Sequence, residues 1–221
     1  ASDVYKRQNY SSAPYQLPGS DLVTNVGGGC GVCDLREATK QSLNTSYLRL
    51  QSDLKNGTQD TADMAHALGV ARSLPGIEKT LTENGKQPFE GVVLGQYQSR
   101  PLDMATAMST LANQGVWHNP HFVQRVENAA GEVLYEHPDG EGERRVSANV
   151  ANNVLEAMGP VAAWSNGSLA GGRASASKTG TTQLGDSGTN KDAWMVGATP
   201  QLATAVWVGT ADNLSLIHIS E

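Results

Sequence analysis

Residues whose types and spacing could do chemistry fall in three places of this 221-residue chain: Cys30-Gly31-Val32-Cys33, Ser42-Leu43-Asn44 and Lys178-Thr179-Gly180-Thr181-Thr182. Serine and threonine hydroxyls and a lysine amine are groups that attack carbonyls or move protons. A Lys-Thr-Gly-Thr string arises by chance on the order of once in several hundred chains of this length, whereas a Ser-x-Asn triplet turns up in about half of them. The first is therefore the strongest local signal. The second gains meaning only from its place after a helix and upstream of the Lys-Thr-Gly strand, because a serine near a helix end is most often a cap. The cysteine pair has three readings. A zinc site needs about four ligands, and no second pair or nearby histidines complete one. A thioredoxin-like redox pair would sit in a βαβ unit, and none surrounds it. A local staple of the glycine-rich loop in an oxidising compartment is the preferred reading.

The elements that must position these residues run helices first, strands later. Asp34 with Glu37 three residues on predicts a capped helix over 35–41, ending just before Ser42-Leu43-Asn44. Further helices fit 46–55, stopped by Asn56-Gly57, and 58–68, closed by Gly69. Pro101 suits a first helical turn, and Leu102, Ala105, Met108, Leu111 and Ala112 make an apolar stripe stopped by Gly115. The segments 122–126 and 132–135 read as an edge hairpin joined across Ala130-Gly131. Ser147 caps a helix with the stripe Ala151, Val154, Leu155 and Met158, halted by Gly159-Pro160. Strands are predicted over 174–182, 193–197 and 203–209, the last two split by a Thr199-Pro200 turn. Helices followed by neighbouring antiparallel strands make the fold class α+β.

Composition narrows the function classes. With 38% hydrophobic and 17% charged residues of mixed sign, the chain suits one globular domain or one domain with a satellite. A net charge of -6 leaves no basic footprint for phosphates, which argues against nucleic acid as a partner. No run approaches the roughly 20 apolar residues of a membrane helix, and no secretory signal pattern opens the chain. Residues 1–8 and 214–221 resemble translated adapter sequence and are expected to be non-native tails with few contacts, leaving 9–213 as the domain. No metal or cofactor is expected. Gly185, Asp186, Gly188, Asn190 and Asp192 suggest a mobile loop beside the site, because calcium-loop spacing is not met. His66, His118, His121 and His137 are scattered and read as surface or packing residues. Trp117, Trp164, Trp194 and Trp207 read as core or groove walls.

Together, Ser42-x-Asn44 and Lys178-Thr179-Gly180 resemble two of the three active-site motifs of penicillin-binding proteins and serine β-lactamases, Ser-x-x-Lys, Ser-x-Asn and Lys-Thr-Gly in that order. The likeness extends through Leu35-Arg36-Glu37-Ala38, Pro101-Leu102-Asp103-Met104-Ala105, Pro120-His121-Phe122-Val123, Asp192-Ala193-Trp194-Met195-Val196-Gly197 and Val206-Trp207-Val208-Gly209. It covers nearly all of 9–213 and is similar to the transpeptidase domain of class A, bifunctional penicillin-binding proteins of high-GC Gram-positive bacteria. The implied fold is the penicillin-binding/serine β-lactamase-like transpeptidase fold, present in part as a helical region plus three C-terminal antiparallel strands.

The resemblance implies a peptidoglycan D,D-transpeptidase whose partners are D-Ala-D-Ala stem peptides and β-lactams. It implies that Ser42 passes a proton toward the leaving group and that Asn44 hydrogen-bonds the nucleophile's lysine and the substrate amide. Lys178 would complement the substrate carboxylate and polarise Ser42, and the Thr179 and Thr181 hydroxyls would bind that carboxylate. Gly180 would let substrate backbone lie close. The Thr181 N–H would be one of two oxyanion donors, and Thr182 would line the same substrate strand. Ser-x-x-Lys is missing upstream of Ser42. Ser52-Asp53-Leu54-Lys55 and Ser175-Ala176-Ser177-Lys178 spell it in the wrong order, and such a pattern is expected about once by chance. The expectation is a fragment that lacks its nucleophile and is inactive and poorly stable alone, with the strand over 203–209 left with an unpaired edge where the family's N-terminal strands would lie. Any membrane anchor would lie in the N-terminal part outside the chain, with the domain on the extracytoplasmic face. Two other readings stay open: hydrolysis by a carboxypeptidase or β-lactamase of the same fold, and a non-catalytic penicillin-sensing module.

Overall fold

The computed structural model describes residues 8–19, 22–138, 140, 142–185, 187–210, 212 and 214–216. Asp34 opens α1 (Leu35–Lys40) by accepting the Glu37 N–H at 2.8 Å. Glu37 does not reach back to complete a capping box. Its carboxylate takes Lys40 at 2.7 Å and the Gln41 amide at 2.5 Å instead. Helix α2 (Asn44–Ser52) starts two residues before the predicted Ser46 and stops at Ser52 rather than Lys55. Leu43 at its N-cap has no acceptor, and the Thr45 N–H is satisfied by Asn25 Oδ1 at 3.1 Å, from 20 residues upstream. A cap so remote leaves no local pattern. Helix α3 (Thr58–Leu68) has the predicted bounds and closes at Gly69, whose φ of 131° suits glycine alone. Helix α4 (Pro101–Ala112) begins at the predicted proline. Ser147 caps α5 (Ala148–Met158) by accepting the Val150 N–H, and a short α6 (Val161–Trp164) follows Pro160.

The strands fall into one main sheet and several small ribbons. Near the start, β1 (Asn9–Ser11), β2 (Tyr15–Gln16), β3 (Leu22–Val23) and β4 (Val32–Asp34) form two antiparallel pairs, β1 with β4 and β2 with β3. Farther on, β5 (Val116–Trp117), β6 (Arg125–Glu127), β7 (Val133–Glu136) and β8 (Glu143–Arg144) nest as β6 with β7 inside β5 with β8. The main sheet is β9 (Ala176–Gln183), β10 (Asn190–Thr199) and β11 (Leu202–Gly209), antiparallel in the order β11-β10-β9. Directly opposed residues share a face, so Ala176, Val196, Ala198, Ala203 and Ala205 form one apolar patch. Met108 and Leu111 of α4 and Ala151 and Met158 of α5 pack against it. Small alanines on the strands let the two helices lie close. A second cluster, Ala62, Val70, Leu81 and Val92, seats α3 against the segment leading to α4.

The other face of the main sheet carries Leu202, Val206 and Val208, which are 65%, 50% and 37% exposed, and among the described residues β11 pairs only with β10. The predicted unpaired edge is therefore present. Three expectations change. β10 begins at Asn190, so the loop after β9 is short and is closed by the Leu184 N–H donating to Thr189 O at 2.8 Å; Asp186 lies outside the described residues. None of the four tryptophans is buried, which removes the core half of the core-or-groove-wall reading: Trp164 is 59% exposed beside Lys40, Trp117 stacks under Arg145, and Trp207 donates to Asp192 at 2.8 Å. His121 and His137 are not scattered but stacked, with ring centroids 3.6 Å apart, because β6 and β7 bring them together. Leu216 N–H donates to Asn190 O, while 1–7 and 217–221 of the expected tails lie outside the described residues. Among the described residues no helix is long and apolar enough to cross a membrane. Cys30 and Cys33 form a disulfide, the staple reading.

Candidate functional site

Ser42 occupies a position that helices usually give to glycine. Gln41 is the C-cap of α1, and the next residue, Ser42, turns left-handed at φ 55°. The Ser42 N–H donates to Thr39 O at 3.1 Å and the Leu43 N–H to Ala38 O at 3.0 Å, the two bonds of a Schellman closure. Leu43 is 1% exposed and Ala38 fully buried, which supplies the apolar contact that accompanies such a closure. The middle residue of Ser-x-Asn is thus the anchor, and the serine on one side is pushed out into solvent. On the other side Asn44 is the first residue of α2, and its side-chain amide has no hydrogen bond among the described residues. Beneath this turn the two helices are tied together: Tyr47 O–H meets the Thr39 hydroxyl, which in turn donates to Leu35 O.

Across from Ser42 runs β9, an outer strand, so every second backbone N–H and C=O along it points away from β10. Lys178 Nζ donates to Ser42 Oγ at 2.7 Å and to Thr179 O at 2.8 Å, joining two motifs 136 residues apart. Among the described residues no carboxylate pairs with Lys178. Burial pushes its pKa below the ordinary lysine value, since nothing nearby offsets the loss of hydration. The unfolded chain then binds more protons than the folded one in the window between the lowered value and about 10.4. Stability should therefore rise with pH across that window, and urea midpoints should show the rise for the parent and lose it for Lys178→Met.

The structure brings Ser42 and Lys178 into contact and sets Asn44 two residues along the same turn. Pleat alternation places Gly180 and Thr182 on the face of Lys178, and Thr179 and Thr181 on the opposite face. Thr181 is exposed, and no hydroxyl of Thr179, Thr181 or Thr182 is hydrogen-bonded among the described residues. A Cβ at Gly180 would stand 3.3 Å from Trp194 Cβ, so the glycine makes room first for the facing strand. Ser52 donates to Arg49 O at the end of α2, and Ser175 precedes β9; among the described residues neither hydrogen-bonds Lys178. A cavity of about 790 Å³ lies elsewhere, lined by residues of 76–85 and 96–98, and shares nothing with this groove. Sequence reading missed Asn25, Thr39 and Tyr47 as supports of the motif. The one local sign was a polar-then-apolar pair after a helix end at Ser42-Leu43.

Comparison with known proteins gives one answer. The family profile described as "Penicillin binding protein transpeptidase domain" matches residues 3–213. Penicillin-binding protein 1A of Mycolicibacterium smegmatis is 56% identical over 207 residues, covering 92% of this chain and 26% of the relative. Its namesake from Mycobacterium tuberculosis is 54% identical over 204 residues, covering 90% and 25%. The chain thus spans about a quarter of the length of these curated relatives. Among solved structures, the penicillin-binding protein PonA1 of Mycobacterium tuberculosis superposes with a TM-score of 0.93 at 51% identity, covering 97% of this chain and 56% of that one. The same protein in complex with penicillin V gives 0.89 at 52% identity, covering 94% and 56%.

Proposed function

This chain belongs to the penicillin-binding protein transpeptidase family, and from that membership we propose that the whole protein is a peptidoglycan D,D-transpeptidase acting on the extracytoplasmic face of the membrane. The observation that carries the reading is the Lys178 Nζ to Ser42 Oγ bond of 2.7 Å, made by a lysine without a carboxylate partner among the described residues. An unneutralised cation beside hydroxyls on an open strand edge suits the terminal carboxylate of a D-Ala-D-Ala stem peptide or the carboxylate of a β-lactam. Because Lys178 donates to Ser42 Oγ, the serine's own hydrogen stays free to be given elsewhere.

The chemistry follows from these parts. A serine outside these 221 residues attacks the penultimate D-Ala carbonyl, and the Thr181 N–H helps hold the oxyanion. The C–N bond breaks, terminal D-Ala leaves as the amine, and its proton arrives through Ser42 Oγ. The acyl group then passes to the amine of a second stem peptide, which returns a proton to the same relay. Asn44, whose amide has no hydrogen bond among the described residues, would orient the nucleophile's lysine and the substrate amide. Gly180 and Thr182, on the face of Lys178, continue the strand against which the peptide lies, while Thr179 and Thr181 on the opposite face would reach the carboxylate only across the open edge of β9. The Cys30–Cys33 disulfide supports an oxidising compartment.

A fluorescent penicillin should label the whole protein at a serine outside 9–213, and this chain alone should form no covalent adduct. An adduct on Ser42, Ser52 or Ser175 of the isolated chain, found by peptide mass mapping, would overturn the placement of the nucleophile.

A further inference from the structure

Helix α2 begins without a cap of its own, and its first turn is out of reach of water: Thr45 and Ser46 are fully buried. Unsatisfied N–H groups in such a place are strongly disfavoured. Asn25 answers them from another part of the chain. Its Oδ1 accepts the Thr45 N–H at 3.1 Å, and its Nδ2 donates to Thr45 Oγ1 and to Ser12 O, both at 2.9 Å. The Thr45 hydroxyl also stands 3.3 Å from Oδ1. Asn25 therefore bridges the residue next to Asn44 and the end of β1.

That end of β1 is itself held. Ser12 donates to Gly31 O through its N–H at 2.8 Å and its hydroxyl at 3.2 Å. Gly31 lies inside the Cys30–Cys33 ring, and β4 runs from Val32 directly into Asp34, the cap of α1. One small platform thus fixes both sides of Ser42-Leu43-Asn44, with Asp34 holding the helix before it and Asn25 the helix after it.

We propose that Asn25 is a positioning residue for the acylation step, holding the first turn of α2 so that Asn44 and Ser42 keep their register against Lys178. This rests on the transpeptidase reading above. Lys178 stands on β9 and does not depend on Asn25, so capture of a ligand carboxylate is separable from the geometry of the Ser-Leu-Asn turn.

The test compares the whole protein with its Asn25→Ala and Asn25→Asp forms, by stopped-flow acylation with a chromogenic penicillin and by hydrogen exchange of the Thr45 amide. For Asn25→Ala the acylation rate constant should fall roughly 10- to 100-fold, the cost of a small misplacement of reacting groups. The dissociation constant of the preceding complex should stay within about twofold. Thr45 amide exchange should quicken. Asn25→Asp keeps an acceptor for that N–H but loses the Nδ2 donations to Ser12 O and Thr45 Oγ1, so it should restore slow Thr45 exchange and recover only part of the lost rate. The proposal is overturned if Asn25→Ala acylates at the parent rate, if Asn25→Asp is as slow as Asn25→Ala, or if Thr45 exchange does not change. A parent that binds penicillin without acylation would instead sink the transpeptidase reading, and the exchange comparison would still decide whether Asn25 holds α2.

Discussion

Lys178→Ala in the whole protein should slow acylation by a penicillin by roughly 1,000-fold or more while leaving the fold as stable as before or slightly more so. Two roles are lost at once: the cation that would meet the carboxylate, and the donor that polarises Ser42 Oγ at 2.7 Å. The stability side follows from what Lys178 lacks. With no carboxylate partner among the described residues, its removal strands no buried charge and ends a desolvation cost that now lowers its pKa. Stopped-flow acylation and thermal melting measure the two sides separately. A variant that acylates within about tenfold of the parent would remove Lys178 from the machinery.

Ser42→Gly should be the second large effect, and it separates chemistry from folding. Deleting the hydroxyl takes away the proton relay and should lower acylation by roughly 100- to 10,000-fold. The backbone, however, already sits at φ 55° in the Schellman position, where glycine is at home and an L side chain is strained. Ser42→Gly should therefore melt higher than Ser42→Ala by an equivalent of about 1 kcal/mol, although both lose the same hydroxyl. If the two variants melt together, the strain assigned to Ser42 is absent. If either acylates at the parent rate, the proton takes another route.

Local chemistry was legible wherever it was self-contained. Helix α3 runs between its predicted bounds because Gly69 closes it, and α5 starts where Ser147 can accept an N–H three residues on. The Lys-Thr-Gly strand was readable from its residues, whereas the partnership of Lys178 with Ser42 followed only from the resemblance to penicillin-binding proteins. What escaped depends on partners far away in the chain. The start of α2 was read two residues late because its cap is Asn25. Residues 190–192 looked like loop, with Asn190 and Asp192 after two glycines, yet Asn190 faces Gln183 and Asp192 faces Thr182 around a bulge. Ribbons of two or three residues such as β2 and β3 are too short to show any alternation. Gly180 was read as room for substrate backbone, and the crowding of a Cβ there against Trp194 on the facing strand is a second reason for glycine that only the cross-strand register reveals.

The bond between Lys178 and Ser42 spans 136 residues, and that span has a consequence for how the protein comes into being. The turn between helices α1 and α2 closes through contacts a few residues apart and α2 is capped from only 20 residues upstream, local closures that form in about microseconds. The β9–β10–β11 meander is also local in sequence. Bringing the two together closes a loop of well over a hundred residues, an entropic cost met before any contact rewards it. During synthesis the Ser-Leu-Asn turn therefore emerges and orders first, and waits for the strand that completes it. Conditions or variants that slow docking of β9 should leave a population with native helix content and no competent groove, so helical signal returns on refolding before the ability to bind a carboxylate does.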